Sequence, residues 1–260
     1  MSEPTSFLRL VIRLPWLGAH IGLGLMIAAV RRLQYGDEWF LHSQGRVSIH
    51  NWMKRLCRIL SLNVIVKGLI PNKTGLIVAN HISWLDIIAL NSVVVLPTTF
   101  ISKSDVRGWP LIGRLVAASG TLFIRRGSIS ALNKAINGMT SRLQKGQSVT
   151  LFPEGTTTAG RDVLKFKGAL FQSAINAGVE IQPVHLHFFQ KDGRFDELAP
   201  YIDDDTFFDH LARVLSRNET CIAINFLPSL TSTQGNRAEL AQLSYQMIAE
   251  CSAVEYEKTA

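Results

Sequence analysis

The chain is 260 residues long, 47% hydrophobic, and carries 27 Lys and Arg against 20 Asp and Glu, a net charge of +7 at pH 7. That length suffices for one α/β domain with a full core, and the positive balance favours acidic partners, either anionic lipid or nucleic acid. Its three cysteines, Cys57, Cys221 and Cys251, make no Cys-x-x-Cys pair, which argues against a zinc knuckle or a disulfide framework and fits buried thiols in a reducing compartment.

From Leu8 to Val30 the sequence is mostly apolar, broken by Arg9, Arg13, Pro15 and His20, and it ends at Arg31-Arg32. Its clean part, Trp16 to Val30, is shorter than the roughly 20 residues a perpendicular membrane span needs. Arg31-Arg32 directly after Ala28-Ala29-Val30 suits a signal-peptide cleavage site poorly. An interfacial or half-inserted helix fits better, with arginines reaching headgroups from both ends and Trp16 at interface depth. A transmembrane anchor stays open if Leu8 to Leu14 is counted, and arginines at both ends leave the segment unoriented by charge. Trp39 to Leu60, with Arg46, His50, Lys54, Arg55 and Arg58 among apolar residues, reads either as a helix on an anionic surface or as an ordinary solvated face.

Asn63 to Val66 is a candidate strand, Gly68 to Gly75 a turn region, and Gly75 to Asn80 an apolar strand that runs into Asn80-His81-Ile82-Ser83-Trp84-Leu85-Asp86. Trp84 to Leu90 then starts a helix. On one continuous helix, His81 and Asp86 would lie roughly 140° apart at about 100° per residue and would not meet. With a bend and Ser83 as N-cap, Asp86 falls in the first turn. Its carboxylate can then point back, fix the histidine tautomer and stabilise the protonated ring. The same Ser83-Trp84-Leu85-Asp86 also reads as a capping box in which Asp86 serves only the helix end.

Further strands are expected at Thr99 to Ser102, Thr121 to Ile124, Ser148 to Phe152, Glu180 to Phe188 and Cys221 to Leu227. Helices are expected at Pro110 to Ala118, Ile129 to Leu143, Phe166 to Ala177, Phe207 to Leu215 and Asn236 to Ala253, with Glu255 to Ala260 frayed. This alternation implies an α/β fold: a mixed, mainly parallel sheet flanked by helices, with an N-terminal membrane-associated helical segment. The expected divisions are 1–60 for that segment, 61–232 for the α/β domain and 233–260 for a C-terminal amphipathic helix. His81, Arg125, Arg126 and Glu154 fall at carboxyl ends of strands, where such folds gather reactive groups. His185 and His187 share one strand face, but two ligands without a third make no metal site, and none is expected.

Arg125-Arg126 ends an apolar strand and offers a planar fork suited to a phosphate dianion, or else an ordinary basic strand end. Phe152-Pro153-Glu154-Gly155-Thr156-Thr157-Thr158 offers a glutamate, a glycine that lets backbone approach a ligand, and three hydroxyls, unless it is a plain turn. Lys165 and Lys167 open the next helix, where an anion can be held. Pro183 within a strand suggests an edge or a bulge.

Asn80-His81 with Asp86, then Gly120-x-x-Phe123-Ile124-Arg125-Arg126, then Phe152-Pro153-Glu154-Gly155-Thr156, then the strand of Ile181 and Pro183, resemble in order and spacing the four blocks of the glycerolipid acyltransferase family. The resemblance covers roughly residues 63 to 190. One departure is that the family's third block often continues with arginine and serine, whereas Thr157-Thr158 stand here. The resemblance implies a membrane-bound acyltransferase moving a fatty acyl group from acyl-CoA or acyl carrier protein to a lysolipid hydroxyl. The favoured acceptor is 1-acylglycerol-3-phosphate, with lyso-ornithine lipid as alternative. It implies His81 as general base, Asp86 as its partner, and Arg125, Arg126, Glu154, Gly155, Thr156 and Lys167 in substrate binding. Backbone N–H groups near Asn80 to Ile82, or in the Gly155 loop, would hold the oxyanion. No bound cofactor, metal or nucleic-acid partner is implied, and the site is expected on the cytoplasmic side of a membrane. A thioesterase and a non-enzymatic membrane-surface protein are the competing readings.

Overall fold

In the computed structural model, which describes residues 6–96, 98–104, 108, 112–124, 128–202 and 205–259, the apolar runs become seven strands. They are β1 (Leu62–Lys67), β2 (Leu76–Ala79), β3 (Thr98–Lys103), β4 (Leu122–Ile124), β5 (Ser148–Leu151), β6 (Ile181–Phe189) and β7 (Thr220–Phe226). They form one sheet in the order β1-β7-β6-β2-β5-β3-β4. The strands from β6 to β4 run parallel, β7 is antiparallel to β6, and β1 follows β7 in parallel. The sheet is therefore mixed and mainly parallel, as the alternation implied. Its β2 is buried throughout, with Leu76 and Val78 in one core beside Met139, Phe171 and Leu240, and Ile77 and Ala79 in the other beside Leu56, Leu85 and Leu215. The two-residue period of a strand thus sends alternate side chains into separate layers of helices.

One layer holds α2 (Ser43–Ile59), α3 (Leu85–Val93) and α7 (Phe207–Ser216); the other holds α5 (Ile129–Gln144), α6 (Gln172–Ala177) and α8 (Arg237–Thr259). A short α4 (Ile112–Ala118) lies between β3 and β4. The N-terminal α1 (Phe7–Tyr35) buries only Leu17, His20, Gly24 and Ala28, a stripe at helical spacing. Gly24 lets α1 approach Trp52 of α2: a Cβ there would lie 2.7 Å from Trp52 Nε1. His20 and Trp52 stack at 4.6 Å and exchange side-chain-to-backbone hydrogen bonds. Arg13 donates to the carbonyls of Leu215, Arg217 and Asn218 at the end of α7, where a cation meets the negative end of the helix dipole. The outer face, including Phe7, Leu8, Trp16, Met26 and Leu33, is exposed. By length and composition this helix could cross a membrane.

Several expectations are corrected. Trp39 to Leu60 is not one helix but a 3-10 turn (Trp39–Leu41) followed by α2, and Phe166 to Ala177 is a 3-10 turn (Gly168–Phe171) followed by α6. Pro183 lies neither on an edge nor in a bulge; β6 sits between β2 and β7, with Pro183 opposite Val78. The ladder tolerates it because β7 ends at Phe226, and the Gln182 side-chain amide donates to the Leu227 carbonyl beyond that end. The C-terminal stretch from Glu255 does not fray before Thr259: Glu255 pairs with Lys67 at 2.8 Å and Tyr256 packs edge-on against Phe195.

Candidate active site

β2 and β5 are neighbours and parallel, so the loops leaving their carboxyl ends, one with His81 and one with Glu154, emerge side by side. Asn80 continues the β2–β6 ladder with its side chain: its carboxamide donates to the Leu186 carbonyl at 2.9 Å and accepts from the Leu186 N–H at 2.7 Å. The chain then bends, and α3 begins one residue later than expected, with Trp84 rather than Ser83 at its cap.

That bend brings His81 and Asp86 together. Asp86 is fully buried, and its Oδ2 accepts from His81 Nδ1 at 2.8 Å, from the Ile82 N–H at 2.8 Å and from the Ser83 N–H at 3.0 Å. The capping and histidine-orienting readings are therefore two uses of one oxygen. The carboxylate fixes Nδ1 as a donor, so Nε2 is the ring's remaining basic nitrogen. Phe152 stacks on the imidazole at 4.0 Å and 15°. Held on one face and at one edge, the ring retains 19% of its side-chain exposure.

Glu154 is placed differently from expectation. It is 3% exposed, and both oxygens are taken by backbone donors, Oε1 by the His81 N–H at 2.7 Å and Oε2 by the Leu164 N–H at 2.9 Å. Burial pushes its carboxyl up to about 7, against the pull of those two hydrogen bonds, and Asp86 adds repulsion. It lies beneath the histidine loop as a clamp, leaving no oxygen of its own turned to a ligand. Gly155 turns the chain at φ +77° and donates its N–H to the Phe152 carbonyl. Of the expected oxyanion donors, the N–H groups of His81, Ile82 and Gly155 bond within the protein, as does that of the neighbouring Ser83.

Thr156 is exposed, whereas Thr157 donates its hydroxyl to the Tyr201 carbonyl, and Thr158 donates its N–H to the His81 carbonyl at 2.9 Å. Lys167 is exposed, and its N–H bonds the Pro153 carbonyl at 3.0 Å, tying it beside Glu154. Arg125 and Arg126 lie outside the described residues.

Other residues reach this loop from far along the chain. The Tyr201 N–H donates to the Ile82 carbonyl at 2.9 Å, and Trp84 Nε1 donates to His210 Nδ1 at 3.0 Å. His210 is buried, its pKa lowered chiefly by desolvation and further by Arg213, and Nε2 lies 3.1 Å from the carbonyls of Ala199 and Pro200. A neutral ring with its proton on Nε2 satisfies all three contacts. Tyr201 and His210 stand 119 and 126 positions from Ile82 and Trp84, with no local motif to announce them. Phe152, adjacent to the Pro-Glu-Gly turn, is the one whose place was open to inference. His185 and His187 are both buried on β6, and desolvation lowers His185 to about 3. No group of metal-ligating side chains occurs among the described residues.

The family model described as Acyltransferase matches residues 61–187. The lyso-ornithine lipid O-acyltransferase of Pseudomonas aeruginosa is 40% identical over 246 residues, covering 93% of this chain and 92% of that one. The 1-acyl-sn-glycerol-3-phosphate acyltransferase of Neisseria meningitidis is 38% identical over 155 residues, 58% of each chain. The crystal structure of the 1-acyl-sn-glycerophosphate acyltransferase from Thermotoga maritima superposes with a TM-score of 0.69 at 20% identity, covering 95% of this chain and 94% of that one, and so shares the fold. The matched stretch carries His81, Asp86 and Glu154, and the chain belongs to the acyltransferase family.

Proposed function

We propose that the chain is a membrane-associated O-acyltransferase that moves a fatty acyl group from acyl-CoA or acyl carrier protein to the hydroxyl of a lysolipid, with lyso-ornithine lipid as its acceptor. The contact between His81 Nδ1 and Asp86 Oδ2 at 2.8 Å carries the chemistry, because it leaves Nε2 to act as a base. Nε2 takes the acceptor hydroxyl's proton as that oxygen attacks the thioester carbonyl. The tetrahedral intermediate then expels the thiolate, which recovers the proton from the imidazolium. Asp86 stabilises the imidazolium between the two transfers, and such acid–base assistance contributes roughly 10²–10⁴-fold. Transfer is direct: Cys57 and Cys221 are buried, and Cys251 lies on α8 beside His185.

Glu154 acts as the clamp that sets the height of the histidine loop, while Gly155, Thr156 and Lys167 line the acceptor's path, and Arg125 and Arg126 are assigned to substrate binding by their sequence block alone. Two observations favour lyso-ornithine lipid: Thr157-Thr158 follow Glu-Gly-Thr, and the P. aeruginosa relative matches almost end to end. The Neisseria relative and the paired arginines support 1-acylglycerol-3-phosphate as second reading. The helix α1 lies along the bilayer surface, since its buried stripe and Arg13 hold it against α2 and α7 while its other face is apolar. The site then faces the cytoplasm, where acyl thioesters are made. The segment 1–60 serves as the membrane contact, 61–232 as the catalytic unit, and 233–260 as a brace against β6.

The test is transfer of a labelled acyl group from acyl-CoA or acyl carrier protein by purified protein in detergent, comparing wild type with His81→Ala on both lysolipids. Product with lyso-ornithine lipid that disappears in the variant supports the assignment. Product only with 1-acylglycerol-3-phosphate moves the acceptor, and product undiminished in His81→Ala overturns the mechanism.

A further inference from the structure

Beside the histidine loop lies a cavity of about 430 Å³, lined on one wall by Thr156 to Ala159 and on the other by Tyr201, Ile202 and Asp205. Its size is that of a small-molecule site. Both walls are bonded to the loop: Thr158 N–H to the His81 carbonyl, and Tyr201 N–H to the Ile82 carbonyl, each at 2.9 Å. Both walls of the cavity are thus tied to the backbone of the loop that carries His81.

The lining has hydroxyls and a carboxylate, and neither Lys nor Arg is among its described residues. Asp205 is the charged member among those described residues. Arg213 grips it from behind through Nη1 at 3.0 Å and through Nη2, and the hydrogen bonds from that guanidinium hold Asp205 below the usual carboxylate range, so it stays ionised. Arg213 also donates Nε to the Leu198 carbonyl and Nη2 to the Pro200 carbonyl, so its donors are directed at protein acceptors, and it does not line the cavity. The pair is neutral overall, but Asp205 lines the cavity and Arg213 does not, so the cavity offers a primary ammonium an ionised acceptor among hydroxyls and offers a phosphate dianion no cation among its described residues.

Resting on the lysolipid acyltransferase reading above, we propose that this cavity is a headgroup-selecting subsite, in which Asp205 receives the primary ammonium of the acceptor and Thr156 and Thr158 line its path. Arg213 is a positioning residue, and the subsite discriminates against acceptors whose only headgroup charge is phosphate.

The test measures kcat/KM for lyso-ornithine lipid, lysophosphatidylethanolamine and 1-acylglycerol-3-phosphate with wild type, Asp205→Asn and Asp205→Glu. Within each preparation the ratio of ammonium-bearing to phosphate-only acceptor cancels any partial loss of folded protein. Asp205→Asn lowers that ratio roughly tenfold, the loss of one charge-assisted contact, and Asp205→Glu restores part of it. A fall confined to lyso-ornithine lipid identifies the aminoacyl headgroup as the ligand, whereas a fall shared with lysophosphatidylethanolamine identifies the ammonium alone. Thr157→Arg, which sets a guanidinium at the cavity wall, shifts the ratio further towards 1-acylglycerol-3-phosphate. Equal losses on all three acceptors in Asp205→Asn overturn the proposal. If wild type acylates no lysolipid, the acyltransferase reading of substrate fails separately. Lyso-ornithine lipid binding in detergent then decides the cavity: tenfold weaker binding by Asp205→Asn supports it, and unchanged binding refutes it.

Discussion

Asp86→Asn separates the two duties that one oxygen performs. An asparagine can place its carbonyl oxygen where Oδ2 now accepts from His81 Nδ1 and the N–H groups of Ile82 and Ser83, all within 3.0 Å. Its NH₂ then occupies the site of Oδ1, which is buried and has no hydrogen-bond partner. An unsatisfied buried donor costs about 1–3 kcal/mol, and because Oδ1 is itself unsatisfied the net cost falls at the low end, a few degrees in Tm. The catalytic cost is larger, because the negative charge beside the imidazolium is gone. Taking the charge centres as about 4 Å apart and an effective dielectric of about 20, the lost attraction is roughly 4 kcal/mol, or about 10³-fold in rate. The assay is the initial rate of thiol release from acyl-CoA with lyso-ornithine lipid present, alongside a thermal melt. A folded Asp86→Asn protein within tenfold of wild type would refute the catalytic role and leave Asp86 as a helix cap alone.

Glu154 makes thermal stability depend on pH. Burial raises its carboxyl from 4.5 to about 7. Between those values the folded chain holds a proton that the unfolded chain has released, so stability falls as pH rises through the window, by up to about 3 kcal/mol, and levels off above it. Melts of wild type and Glu154→Gln at pH 5 and pH 8 check this: wild type loses ground to the variant at the higher pH, and a constant difference contradicts it. Asp196→Ala strips the partner from Arg217, which is 1% exposed and bonded to Asp196 Oδ2 at 2.6 Å. A buried guanidinium without its carboxylate costs about 3–5 kcal/mol, read as a Tm lower by roughly 10 °C, and a paired Asp196→Leu, Arg217→Met replacement recovers much of it. Gly24→Val drives a side chain into Trp52, which stacking on His20 holds in place. Overpacking of about 1–3 kcal/mol loosens α1 from α2 and exposes residues 36–42 to limited proteolysis.

The sequence carried the elements because each is written in local periodicity. The run Leu76-Ile77-Val78-Ala79 is apolar at consecutive positions and became a strand buried on both faces, and Ser128, an N-cap that accepts from the Ala131 N–H, starts α5. It also carried His81 and Asp86, since the bend that lets them meet lies within five residues. What it left open concerns partners distant along the chain. Glu154 looks like a ligand-facing group until Leu164 is seen to take its second oxygen, and Thr157 looks like a free hydroxyl until the Tyr201 carbonyl is found above it.

Local stretches of the sequence specified the strands and most of the helices, that His81 and Glu154 follow strand ends, and that an apolar helix precedes them. These follow from backbone sterics and from the apolar period of each short stretch. Only the tertiary structure decided that β1 pairs with β7 rather than β2, that Pro183 is interior, and that Asp205 shares a cavity with Thr156. Such choices rest on contacts between residues tens to more than a hundred and fifty positions apart. Their energies depend on the burial and hydrogen bonding of every neighbour, which a local stretch of chain does not encode.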